Sequence, residues 1–193
     1  MMSEMLNYTI GQMLDRVAEK FPDREAVAYI DRPYRRTWRE FRDECTRFAK
    51  GLLSIGIRKG DHVAIWATNV PEWMITLFAT AEIGAVLVTV NTNYKKYEMQ
   101  YLLQQSDSKA LVMIDGFKGT DYVKIINELC PTLKTSRPGE LSEPDLPCLK
   151  SIIYVGNQEV PGTFHFQDLF ARGCGGRRNI PEDPGFPGSS GCH

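Results

Sequence analysis

Between residues 62 and 129 the chain alternates short apolar runs with amphipathic stretches, and that alternation limits the fold more than any other feature. "HVAIWATN" is rich in β-formers and bounded by turn residues, as expected of a central strand covered on both faces. Pro71 then opens a helix to about Gly84, with Met74, Leu77, Phe78 and Ala81 as its expected inner face. "VLVTVN" at 86–91 reads as a buried strand, "KKYEMQYLLQQS" as a helix and "ALVMI" at 110–114 as a strand. "TDYVKIINEL" reads as a helix capped by Thr120. A β-α-β-α-β-α order with near-continuous apolar strands implies an α/β fold: a parallel β-sheet, right-handed crossovers and helices on both faces.

The flanks extend this pattern. Thr9 and Gln12 form a capping box before Ile10, Met13, Leu14, Val17 and Phe21, which share one helical face. Thr37 and Glu40 form another before Phe41, Cys45, Phe48 and Leu52, and Gly56 follows as a C-terminal cap. Four prolines and no periodicity make 131–147 a surface loop, after which "KSIIYVG" reads as a strand and "FQDLFARG" as a short helix. Beyond about residue 172 no element is specified. The expected organisation is an α/β subdomain over 1–171, with 131–149 as a surface loop, and an irregular tail over 172–193. A chain of this length can bury roughly 70% of its unfolded surface.

The apolar stretch 74–90 is broken by Glu82 and Gly84 and is short for a membrane span. The first residues lack a basic n-region and a continuous apolar run, so no targeting signal is read there, and the expected location is intracellular, cytoplasm or mitochondrial matrix. With 23 basic and 24 acidic residues the net charge is -1, which gives no argument for nucleic acid or an anionic membrane. The run "DRPYRRTWRE" is therefore read as a solvated turn leading into a helix. Five cysteines at wide spacings, without a C-x-x-C pair, fit neither a disulfide framework nor a zinc site. Cys192 and His193 lack a second pair of ligands, and His62 and His165 have no nucleophile beside them, His165 being placed in a late loop.

In open parallel sheets ligands meet the loops that leave the carboxyl ends of the strands. Those loops are 67–73, 91–96 and 115–120, which brings forward Asn69, Asn91, Asn93 and Asp115; the competing role for each is to cap a helix or close a turn. No G-x-G-x-x-G stands between a strand and a helix, and the closing "EDPGFPGSSGCH" does not satisfy G-x-x-x-x-G-K-[ST]. A nucleotide-binding domain of flavodoxin type fits the alternation but finds no phosphate loop.

Over residues 37–112, "GIRKGD" at 56–61, "NVPEW" at 69–73 and "AEIGAVLVTVN" at 81–91 together closely resemble the amino-terminal part of the adenylate-forming (AMP-binding) enzymes. "VNTNYKKYEMQYLLQQSDSK" is most similar to the fatty acyl-CoA synthetase branch, and the resemblance covers roughly 8–184. It implies a two-step reaction in which a fatty acid and MgATP give an acyl-adenylate, and coenzyme A then displaces AMP. The family performs this with a Ser/Thr/Gly-rich loop ending Pro-Lys-Gly, a Thr-Glu pair, a ribose-binding Asp and a carboxyl-terminal lysine. "IPEDP" at 180–184 resembles the approach to that loop, and Ser189, Ser190 and Gly191 its first residues. No residue matches a catalytic, cofactor-binding or metal position, so an amino-terminal fragment, inactive alone and binding no cofactor, is expected. Fatty acid, ATP, magnesium and coenzyme A belong to the parent enzyme. The rival expectation is a non-enzymatic interaction module that associates with full-length enzyme, because a partial sheet leaves an edge and apolar surface unpaired.

Overall fold

The computed structural model describes residues 8–173 of the 193, so the glycine-rich close of the chain, Cys192 and His193 included, lies outside the described residues. Helix α1, Ile10–Lys20, starts on the Thr9–Gln12 capping box. Strands β1, Glu25–Ala28, and β2, Arg35–Thr37, form an antiparallel hairpin where the sequence reads as a solvated turn. Its anchor is Glu44, whose carboxylate takes the Tyr34 hydroxyl at 2.7 Å and Arg36 Nε at 2.6 Å. Helix α2, Trp38–Ser54, begins on the Thr37–Glu40 capping box and buries Phe41, Cys45, Phe48 and Leu52 as expected. It stops in a Schellman arrangement: Gly56, at φ +92°, and Ile57 donate back to the Leu53 and Leu52 carbonyls.

Then follow β3 (His62–Trp66), α3 (Pro71–Glu82), β4 (Val86–Thr89), α4 (Lys96–Gln105) and β5 (Ser108–Ile114). The small hairpin β6 (Gly116–Phe117) and β7 (Thr120–Asp121) turns through Lys118 and Gly119, both at positive φ. After it come α5 (Tyr122–Leu129), β8 (Ser151–Val155), β9 (Phe164–His165) and α6 (Phe166–Gly173). The main sheet is parallel throughout, in the order β4-β3-β5-β8-β9. Its strand order reverses after β4. Right-handed crossovers therefore put α3 on one face and α4 with α5 on the other. On the first face α1 and α2 pack against α3, and α6 against α2; on the second α4 packs against α5.

Four expectations change. The face of α1 that is buried is Gly11, Leu14 and Ala18, while Ile10 and Met13 are exposed, because a backbone-close crossing selects the small residues: a Cβ on Gly11 would lie 3.1 Å from the Glu82 Cα. In α3 the fully buried face is Ile75, Thr76, Ala79 and Thr80 rather than Met74, Leu77, Phe78 and Ala81. The threonines tolerate burial by bonding back to carbonyls one turn earlier, at 2.7 and 2.8 Å. Asp121, not Thr120, caps α5, accepting from the Lys124 amide at 2.8 Å; the Thr120 hydroxyl instead takes the Lys95 ammonium. Finally, "VLVTV" contributes a half-exposed edge strand, β4, in place of a buried one.

The stretch 131–149 carries only a 3-10 turn, Leu133–Thr135, and an isolated bridge. It is nonetheless fastened to the core by four buried leucines: Leu133, Leu141, Leu146 and Leu149. Buried Glu143 ties it by accepting from the Thr132 amide and hydroxyl at 2.8 and 2.7 Å. Helix α6 runs two residues past the expected limit at 171.

Where α1, α2 and α3 meet, burial pushes the Glu82 carboxyl from the ordinary 4.5 up to about 7; the Thr46 hydroxyl at 3.1 Å opposes the shift and the Asp15 charge adds to it. A raised carboxyl pKa means that the stability linked to this group is complete below pH 4.5 and is lost as pH rises through 7. Glu82→Gln keeps an acceptor for Thr46 and removes the titration. The variant is expected to match the parent at pH 5 and to exceed it at pH 8 by about 1–3 kcal/mol, several degrees in Tm. Melting curves at the two pH values check this, and equal Tm differences at both would refute it.

Candidate functional site

A strand-order reversal leaves a crevice, because the loops after the two adjacent strands depart toward opposite faces of the sheet. Here those strands are β3 and β5, and a cleft of about 520 Å³ opens at their carboxyl ends. Thr68 and Val70 line it from the loop after β3, Asp115 and Gly116 from the loop after β5, and Tyr154 and Gly156 from the end of β8. The start of α3 reaches it through Glu72, and this helix has no side-chain cap at Val70. Its first residue, Pro71, has no amide hydrogen, and the Trp73 amide donates to the Val70 carbonyl at 3.0 Å, so what the first turn presents to the cleft is the Glu72 side chain.

The missed hairpin supplies the remaining wall. Arg32 sits in its turn and lines the cleft, with Nη2 on Asp31 at 3.1 Å and with Nε buried and without a partner among the described residues. Tyr29 holds the hairpin in place, its hydroxyl donating to Asn69 Oδ1 at 3.2 Å. Tyr154 is 2% exposed; its ring meets His165 edge-on at 6.0 Å, and its hydroxyl makes no hydrogen bond among the described residues. Burial, with the charges of Asp115 and Asp121, raises its pKa, so the phenol stays protonated and a donor.

The four residues brought forward by the sequence separate. Asp115 reaches the cleft, although its Oδ1 also takes the Gly116 amide at 2.9 Å. Asn69 is engaged by Tyr29. Asn91 closes a turn by accepting from the Asn93 amide at 2.9 Å, and neither of these two lines the cleft. Their loop is held by a buried aromatic pair: Trp66 and Tyr122 stack at 3.6 Å and 10°, Trp66 Nε1 donates to the Asn91 carbonyl at 3.2 Å, and the Tyr122 hydroxyl to the Thr92 carbonyl at 2.6 Å. His62 is satisfied by the Ser106 carbonyl at 2.5 Å, and His165 lies on β9 rather than in a loop. Sequence reasoning missed Arg32, Thr68 and Tyr154. The signal that was present is "VGN" at 155–157, a strand end followed by turn residues like the three loops it did select.

A second concavity, of about 600 Å³, runs along the outer side of α4 past Tyr94, Tyr97 and Tyr101. Tyr97 and Tyr101 are 80% and 65% exposed. Among the described residues no helix is long and apolar enough to cross a membrane.

Compared with known proteins, the chain matches the AMP-binding enzyme family over residues 14–161. It is 50% identical over 167 residues to a Bacillus subtilis protein that carries the name acyl-CoA synthetase YngI, covering 86% of this chain and 30% of that protein. It is 37% identical over 180 residues to the mouse medium-chain acyl-CoA ligase ACSF2, mitochondrial, covering 93% and 29%. Among solved structures, a Rhodopseudomonas palustris protein that carries the name long-chain-fatty-acid CoA ligase superposes with a TM-score of 0.68 at 30% identity, over 84% of this chain and 36% of that one. The N-terminal domain of FACL13 from Mycobacterium tuberculosis superposes at 0.69 and 22% identity over 92% and 38%, a likeness of fold. The chain thus spans about 30% of the length of the curated relatives it matches.

Proposed function

The chain belongs to the AMP-binding enzyme family, and from that premise we propose that it contributes the amino-terminal α/β layer of a fatty acyl-CoA ligase. The observation that carries this reading is the 50% identity over 167 residues to the Bacillus protein named as an acyl-CoA synthetase. The parent reaction joins a fatty acid carboxylate to the α-phosphate of ATP with release of pyrophosphate, and the coenzyme A thiol then displaces AMP. Both steps develop negative charge on phosphoryl oxygens, which must be met by amide dipoles, cationic side chains and magnesium. Among the described residues no group of three or more His, Cys, Asp or Glu side chains is arranged to hold a metal ion. In this reading the magnesium and triphosphate contacts come from parts of the enzyme beyond residues 8–173, and no chemical step is assigned to a side chain here. The location proposed is cytoplasm or mitochondrial matrix, the latter by likeness to ACSF2.

The expected result for the purified 193-residue chain is no acid-dependent ATP-pyrophosphate exchange with octanoate. Turnover free of contaminating synthetase would overturn the assignment of catalysis elsewhere. A chimera joining this chain to the remaining length of the Bacillus relative is expected to form acyl-CoA; a folded chimera without that activity would overturn the ligase reading.

A second reading, an interaction module without activity, is favoured by one observation: among the described residues no strand pairs with the outer edge of β4, where Val86 is 45% exposed. It predicts capture of a full-length ligase by this chain. A compact monomer by light scattering that binds no ligase would end it.

A further inference from the structure

Glu82 is the last residue of α3, and α1 lies across its backbone: a Cβ on Gly11 would stand 3.1 Å from the Glu82 Cα. Its carboxyl is turned toward α2, where the Thr46 hydroxyl donates to Oε2 at 3.1 Å. A carboxylate at this place meets three unfavourable conditions. Burial in the junction desolvates it, Asp15 of α1 adds a like charge, and the carboxyl end of α3 already carries negative partial charge. The opposite charges that face it, Lys50 and Arg42 of α2, are outweighed, and Arg42 is itself engaged by Asp43 at 2.8 Å. The Cys45 thiol of α2 is pushed up by burial and by the Glu82 and Glu44 charges, so it stays neutral. Lys59, from the turn before β3, lays its stem along Gly84, two residues further on.

An ionised Glu82 is relieved by water, and the shortest route for water is to lift α1. Of the three helices that meet here α1 buries the least, Gly11, Leu14 and Ala18. Without it α2 and α3 still hold each other, through the edge-on contact of Phe41 with Phe78 at 5.5 Å and the Thr46 hydroxyl. At 11 residues α1 is of a length that is marginal as an isolated helix, so lifting it also unwinds it. We propose that α1 is a pH-sensitive latch: it stays docked on α2 and α3 while Glu82 is protonated, and its open, unwound state gains population as the carboxylate forms, the sheet and the other helices remaining folded. Docking is thus complete at low pH and weakens as pH rises through the range in which the docked carboxyl titrates. The inference goes beyond the stability change described above by naming the part that opens, and it is independent of the ligase reading.

Limited proteolysis of the whole 193-residue chain tests it, at a trypsin level low enough for cleavage to follow the open population. Arg16 and Lys20 are the tryptic sites inside α1. Dividing the cleavage rate of the parent at these sites by that of Glu82→Gln at the same pH removes the pH dependence of trypsin itself. A carboxyl at the ordinary 4.5 when α1 is open and at about 7 when it is docked makes that ratio rise about tenfold from pH 6 to pH 8. Mass spectrometry is expected to show that the first cuts within residues 8–173 of the parent at pH 8 fall at Arg16 and Lys20. A ratio that does not change with pH overturns the proposal. First cuts at pH 8 spread over α2 to α6 overturn it as well, because the whole fold would then open in place of α1.

Discussion

Gly51→Ala is expected to lower stability by about 3 kcal/mol, a fall in Tm of roughly 6–12 °C for a chain of this size. Gly51 lies inside α2 where α6 crosses it. A Cβ there would stand 2.3 Å from the Leu169 carbonyl oxygen and 2.8 Å from the Leu169 Cβ. Two effects oppose each other. Alanine improves helix propensity by about 1 kcal/mol over glycine, while the clash forces two backbones apart. The clash wins because the obstructing atom is a carbonyl of a packed helix, not the flexible end of a side chain. Gly173, at the other end of the same crossing, leaves no escape by sliding: a Cβ on it would come 2.2 Å from the Arg47 carbonyl oxygen. Separation of α2 from α6 would also loosen the Phe48–Phe166 stack at 4.1 Å. Urea denaturation reads the loss, and an unchanged or raised midpoint would show that the crossing adapts freely.

The sheet and its helices were legible because parallel strands buried on both faces have no choice but to be continuous apolar runs, and "HVAIW", "ALVMI" and "SIIYV" are such runs. The capping boxes at Thr9 and Thr37 were legible because a local hydrogen-bond pair needs only four residues of context. What periodicity could not give was the packing face of α3, which is apolar nearly all round and lies between the sheet and two other helices. Nor could it give the hairpin at residues 25–37, whose short strands depend on a distant anchor, Glu44. The cleft was half legible. The strand-end rule led to Asp115, but Arg32 arrives through that unread hairpin, and Tyr154 looks in sequence like one more apolar strand residue. Its phenol lies against Gly156, where a Cβ would fall 2.4 Å from the oxygen, a relation between neighbours that hydropathy does not record.

Trp66→Ala is expected to have the largest effect of any single change considered, about 4 kcal/mol, and to act on two loops at once. Trp66 is fully buried at the end of β3. Its removal takes away the stacked partner of Tyr122 at 3.6 Å, opens a cavity the sheet cannot close, and strips the Asn91 carbonyl of its indole donor. Tyr122 in turn fixes the loop after β4 through the Thr92 carbonyl and the loop after β5 through its own amide, which donates to the Asp115 carbonyl at 2.9 Å. The pair is thus the joint between the segment carrying Asn91 and Asn93 and the segment that puts Asp115 beside the cleft. Tyr122→Phe retains the ring and loses only the hydroxyl, so about 1–2 kcal/mol is expected, with faster amide hydrogen exchange confined to residues near 91–95. Trp66→Ala should accelerate exchange in both 91–95 and 115–122 because stack and cavity are shared. If exchange in Trp66→Ala rises only around Asn91, or if the two variants cost the same, the aromatic pair does not join the loops and the cleft is positioned by the strands alone.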